Sequence, residues 1–209
     1  MPASNAPDKI DLYKLHRQEY VTPKTPQVVT VGKAQYLTIE GKGAPGSPAF
    51  AQAIEALYSL AYTLKFASKA AGQDYKVSGL EGLWWFPEGH TTLTSALPGT
   101  WRWNLIIRVP DFVSQEQLTQ AKASLAAKNK GGDLLPQVRL ETIEEGPCVQ
   151  MLHVGPYDQE AENVERMRQF ASAQRLAFHG AHHEIYLSDP RGVPPERLRT
   201  ILRMPVRAA

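Results

Sequence analysis

Hydrophobic residues recur along this chain at two spacings, and the switches between them mark out its elements. Val29, Val31, Tyr36, Leu37 and Ile39 supply β-prone side chains to a first strand, Val28–Glu40. Ser47-Pro48 has the form of a helix start, a capping hydroxyl followed by a proline whose missing N–H would be orphaned anyway. Ile54, Leu57, Tyr58, Ala61, Tyr62 and Leu64 then recur at helical spacing, predicting a helix from about Ala49 to Ala71 that Gly72 ends. Val77–Phe86 reads as a strand turned by Pro87-Glu88-Gly89, and Trp101–Val109 as the strand that returns. Ser114-Gln115-Glu116-Gln117 has capping-box form and opens a helix through about Lys128.

After Gly131-Gly132-Asp133 the pattern starts again. Strands are predicted at Val138–Ile143 and Cys148–Val154, separated by a Glu-Glu-Gly-Pro turn at 144–147. A helix follows from about Asp158 to Gln174, then a strand over 182–187 and a last strand, Arg199–Val206. Leu105-Ile106-Ile107-Arg108-Val109-Pro110 lies against Thr200-Ile201-Leu202-Arg203-Met204-Pro205, and Gly79–Phe86 against Gly180–Leu187, which sets Trp85 opposite Tyr186. The expected fold is α+β: two pseudo-twofold-related βαββ repeats, 28–130 and 138–207, with a ligand cleft between them. Residues 1–27 read as an N-terminal extension too short for a core of its own.

The strand at 182–187 carries the most informative alternation. His182, Glu184 and Tyr186 fall on one face, His183, Ile185 and Leu187 on the other. A carboxylate beside a phenol in mid-strand suits either a solvated sheet face or a cleft with an acid on its floor.

Composition narrows the function. Over 209 residues the chain is 43% hydrophobic and 21% charged with net charge +2, enough for a sizeable core and without a basic stripe for nucleic acid. The single cysteine, Cys148, excludes an internal disulfide and a Cys-rich zinc site. No apolar run is long enough for a membrane span, and the N-terminus lacks a leader pattern, so the expected location is cytoplasmic. No metal site is expected, because adjacent histidines on a strand point apart and no third ligand is spaced for chelation. No cofactor motif is present either: Gly41-Lys42-Gly43 lacks the glycine spacing of a phosphate loop.

Four segments carry a resemblance: residues 53–66, Leu80-Glu81-Gly82-Leu83-Trp84-Trp85, Gln150-Met151-Leu152-His153-Val154-Gly155-Pro156-Tyr157, and the stretch from His182 to Pro190. Together the chain resembles the GyrI-like small-molecule-binding superfamily, which shares its fold with the effector-binding domains of several bacterial multidrug-responsive activators. The resemblance implies two βαββ lobes around a cleft that takes flat, often aromatic or cationic compounds, with a glutamate matching Glu184. The double Trp and the Gly-Pro-Tyr and Glu-Ile-Tyr segments look like a stand-alone subfamily that hydrolyses the cyclopropane ring of DNA-alkylating antibiotics inside an aromatic cage. No DNA-binding region precedes the domain in this sequence, so the regulator version of the family is not the expected one.

Glu184 is therefore the candidate that pairs with a cationic ligand or orients a water, with Tyr157 and Tyr186 as hydrogen-bond donors at the reacting centre. Trp85 is the expected cage wall, leaving Trp84 to the core, and Trp103 suits cage or core equally. Three functions stay open: a ligand-sequestering protein, a hydrolase of strained electrophiles such as a cyclopropanoid cyclopropyl hydrolase, or an interaction module for a protein partner, which nothing in the sequence specifically indicates.

Overall fold

Six strands close on themselves. The computed structural model describes residues 9–85 and 101–209. Its strands are β1 (Gln27–Lys42), β2 (Glu81–Trp85), β3 (Arg102–Val109), β4 (Arg139–Val154), β5 (Leu176–Phe178), β6 (His182–Tyr186) and β7 (Arg199–Ala208). The sheet order β4-β1-β3-β2-β6-β7-β5, with β4 also pairing β7, makes an antiparallel barrel of six strands and leaves β5 as an appendage on β7. Closure removes the unpaired edges that an open sheet would present. The order is unchanged when β1 is exchanged with β4, β2 with β6 and β3 with β7. The expected Pro87-Glu88-Gly89 turn lies outside the described residues.

Helices cover the outside. After a short α1 (Leu12–Leu15) come α2 (Pro48–Ala70), α3 (Gln115–Ala126) and α4 (Ala161–Ala173). Ser47 Oγ accepts from the Phe50 N–H and Pro48 occupies the first turn, as the sequence predicts. Ala53, Leu57, Leu60, Ala61 and Leu64 form one buried stripe of α2, set on Leu37, Ile39, Leu105 and Ile107 of the barrel. Val164, Met167 and Ala171 of α4 cover Val149, Met151, Leu202 and Met204 in a second cluster.

Two differences from the sequence reading have plain causes. The turn expected at 144–147 is instead the middle of β4. Gly146 takes a positive φ, but β1 is long enough to stay paired from Thr38↔Arg139 to Gln27↔Gln150, so the ladder runs through the bend. The extension is, over residues 9–26, part of the body. Tyr13 and Tyr20 stack at 4.0 Å between ring centroids, and each hydroxyl donates to Glu81 Oε1 inside the barrel at 3.3 Å. Arg108 Nη1 donates to Glu19 Oε2 at 2.6 Å, and Arg203 donates to the Glu19 carbonyl.

The barrel interior is thus charged and closed. His183 lies between Glu81, 3.1 Å away, and Glu145, 3.0 Å away, while Arg203 bonds Glu145 at 2.7 Å. Burial disfavours the His183 imidazolium, but its carboxylate neighbours outweigh this and lift the ring to about 9.

Candidate functional site

The alternation of β6 decides what faces where. His183 and Ile185 point into the barrel, while His182, Glu184 and Tyr186 point outward on the helix side. Register then adds neighbours on that same side: Gly82 of β2 lies opposite Glu184, and Trp84 opposite His182. Trp84 Nε1–H donates to the Tyr186 hydroxyl at 3.2 Å, and that hydroxyl donates to Glu184 Oε2 at 2.8 Å. Gly82 makes room for this chain, since a Cβ there would stand 2.8 Å from Trp84 Nε1 and 3.0 Å from the Tyr186 oxygen.

Glu184 is only 3% exposed. Its second oxygen, Oε1, lies 3.4 Å from His182 Nε2 and accepts no hydrogen bond. Glu160, 5% exposed, stands at the start of α4, and Glu160 Oε1 likewise has no donor. Among the described residues no lysine or arginine pairs with either carboxyl. Burial first, then the Glu184 charge, then a hydrogen bond from its protonated form to Glu184 push the Glu160 carboxyl well above the usual carboxylate range. Two like charges so placed cannot both ionise cheaply, so the Glu160 carboxyl keeps its proton beside a charged Glu184.

Tyr157 completes the group. Gly155, at φ 135°, and Pro156 turn the chain out of β4 into a single 3-10 turn, Tyr157–Gln159. The Tyr157 ring meets Tyr186 edge-on, 5.8 Å between centroids, and at 38% exposure it is the solvent side of the cluster. Burial and the Glu184 charge push its phenol up to about 12, so it stays a donor at neutral pH. On the far side Phe50 of α2 stacks on Trp84 at 5.9 Å, and Trp101 meets Trp84 edge-on at 6.2 Å.

The structure therefore brings Glu184, Tyr186 and Tyr157 together and redistributes the tryptophans. Trp84, not Trp85, joins Tyr186. Trp85 lies on the opposite face of β2 and is 40% exposed. The repeat alignment that paired Trp85 with Tyr186 sets an inward-facing position against an outward-facing one, and a slip by an odd number of residues exchanges the faces of a strand. Trp103 is core: it is 2% exposed, its Nε1–H donates to the Gly43 carbonyl at 3.2 Å, and it reaches the cluster only through Phe50 and its cross-strand neighbour Trp84. Sequence reasoning missed Glu160. An acid at the N-cap position of a helix looks like ordinary dipole complementation, and only its place three residues after Tyr157 hinted otherwise.

Glu160, His182 and Glu184 each place a ligand-type atom within 4.8 Å of the others, the third donor that spacing alone did not reveal. The surroundings suit a proton better than a cation. Glu184 Oε2 is taken by a phenol, and His182 Nδ1 faces the Met204 thioether at 3.2 Å rather than the carboxylate or carbonyl that orients a ligating imidazole. An open depression of about 510 Å³, lined by Tyr13, Lys14, Arg17 and Tyr20, lies elsewhere, over the N-terminal segment.

An antiparallel barrel with helices outside and a buried acid among aromatic rings defines a small-molecule-binding α+β protein. The chain belongs to the GyrI-like small molecule binding domain family, whose sequence model matches residues 24–207. An uncharacterized conserved protein from Listeria innocua is 39% identical, with a TM-score of 0.88 over 95% of this chain and 100% of its own. A second structure from Listeria innocua, described as a hydrolase, is 37% identical, with a TM-score of 0.84 over 95% of this chain and 100% of its own. The EcmrR C-terminal domain, at 11% identity and a TM-score of 0.55 over 88% of this chain and 98% of its own, shares the fold alone. No curated protein matches the chain significantly. Among the described residues no helix is long and apolar enough to cross a membrane.

Proposed function

We propose that this protein binds flat, hydrophobic or cationic small molecules against the rings around Glu184, and that it opens strained electrophilic rings, such as an activated cyclopropane, by adding water. The observation that carries the reading is the state of Glu184: a buried carboxyl with one oxygen held by a phenol and the other without a donor. A water at Oε1 would be oriented, and its proton taken, by a base whose direction the Trp84–Tyr186 chain holds. A strained ring is already primed to open, so placement supplies much of what is needed, roughly 7–11 kcal/mol at the limit for well-oriented groups. Tyr157 donates to the oxygen that gains charge as the ring opens, and Tyr186 keeps the carboxylate in position. Trp84 is the aromatic wall in this reading, with Trp103 behind it. Close similarity to a Listeria protein described as a hydrolase supports it.

The test is ring-opened product by mass spectrometry, comparing wild type, Glu184→Gln and a no-protein control. Glu184→Gln keeps the shape and removes the base, so turnover should fall by roughly 10²–10⁴ while binding persists. Wild-type rates equal to the control would leave a ligand-sequestering protein. That second reading has its own support in two buried acids that no lysine or arginine pairs with among the described residues, and a thermal shift with planar cations reads it directly.

A further inference from the structure

We infer that Glu160 is the general acid of this site and that the Glu160–Glu184 pair extends its reaction to epoxides. The inference rests on the hydrolytic reading above and adds a residue and a substrate class to it.

Its basis is distance. Glu160 and Glu184 are buried, each has an oxygen without a donor, and ligand-type atoms of the two lie within 4.8 Å of each other. An acid and a base so close can act together only on atoms that are themselves neighbours. In a carbonyl-conjugated cyclopropane they are not: water attacks the ring carbon, while the electron pair of the broken bond ends on a carbonyl oxygen several bonds away. An epoxide meets the condition, because the carbon attacked and the oxygen released are bonded to each other.

The step balances without a co-reactant. The water oxygen forms a bond to one ring carbon and gives its proton to Glu184. The ring C–O bond breaks with its electron pair remaining on oxygen, and Glu160 protonates that oxygen. The product is a vicinal diol, and passage of the proton from Glu184 to Glu160 restores the pair. Roles divide because Glu184 Oε2 accepts a hydrogen bond from the Tyr186 phenol, which steadies its charged form and leaves the proton of the pair on Glu160. The aromatic rings at Trp84 and Tyr157 favour an aryl epoxide over an aliphatic one.

The experiment uses stilbene oxide and a carbonyl-conjugated spirocyclopropane in parallel, with wild type, Glu160→Gln, Glu184→Gln and a no-protein control. Diol is measured by chromatography, and its oxygen source by mass in ¹⁸O-labelled water. Wild type should form diol above control with one labelled oxygen. Glu160→Gln should lose roughly 10²–10⁴ of diol formation and at least tenfold less of cyclopropane opening, whereas Glu184→Gln should lose both alike. Cyclopropane opening with diol only at the control rate overturns the inference and leaves the hydrolytic reading standing. Neither product above control overturns both. Equal losses on the two substrates in Glu160→Gln would strip Glu160 of its part. If that variant does not fold, Glu160→Asp carries the same comparison, since it keeps a proton donor but draws it back from the ring oxygen.

Discussion

Replacing Glu160 by Gln should make the protein more stable, by an amount that grows with pH. The native Glu160 carboxyl is held well above the usual carboxylate range, whereas in the unfolded chain it titrates near 4.5. Between those two values the native state keeps a proton that the unfolded state has released. The unfolded state therefore binds fewer protons, and stability falls as pH rises. The contribution is whole below about pH 4.5 and is lost on the way up to the native pKa, at about 1.4 kcal/mol per pH unit. A Gln at 160 cannot titrate, and its amide can donate to the oxygen of Glu184 that lacks a donor. Groups away from the pair titrate alike in both proteins and cancel in the difference. Between pH 4.5 and the raised native pKa the variant should therefore gain steadily on wild type, by up to about 1.4 kcal/mol per pH unit, against the roughly 5–15 kcal/mol that holds a domain folded. Urea unfolding at half-unit pH steps measures it, provided both proteins keep the same m-value. A difference independent of pH, or one that shrinks as pH rises, would refute the account of a proton kept on Glu160 beside a charged Glu184.

Three further outcomes follow from the same geometry. Gly82→Ala should cost about 1–3 kcal/mol in urea unfolding and weaken ligand binding, because the new methyl meets Trp84 and the Tyr186 hydroxyl; unchanged affinity would remove their hydrogen bond from the site. Titration of a planar aromatic ligand should quench tryptophan fluorescence, with Trp84→Phe weakening the affinity and Trp85→Ala leaving it intact; the reverse order would return Trp85 to the site. Exhaustive dialysis against EDTA, with or without added Zn²⁺, should leave melting temperature and turnover unchanged, and a metal-dependent rise in either would make Glu160, His182 and Glu184 a cation site instead.

Much of this was readable in the sequence, for reasons that individual residues make plain. The face of β6 followed from alternation alone, because a strand has a period of two and Asp189-Pro190 stops it, so Glu184 and Tyr186 fell together without any fold being assumed. The α2 start was equally local, a Ser-Pro pair before a helical stripe. What failed was register between elements. No local signal distinguishes Trp84 opposite His182 from Trp85 opposite His182, and the two choices send different tryptophans to Tyr186. Contacts made at long range were likewise hidden: Glu160 meets Glu184 only once α4 is docked, and Tyr13 and Tyr20 reach Glu81 only after the barrel has closed. The strand through 144–147 shows the converse. Glu-Glu-Gly-Pro has every mark of a turn, and a long paired neighbour kept it extended.

The N-terminal segment also sets a schedule. Arg203 bonds the Glu19 carbonyl across 184 positions of chain, and β4 waits for β7 to seal the barrel. During synthesis Glu19 thus meets Arg203 only after every strand between them has been made. Until then Glu81, His183 and Arg108 have no enclosed environment, and the nascent chain carries a half-built, charge-lined sheet. Such long-range closure is slow, since the entropy of a large loop must be overcome before any contact repays it. Barrel closure accordingly comes last, and until then the strand edges of β4 and β7 stay open to other chains.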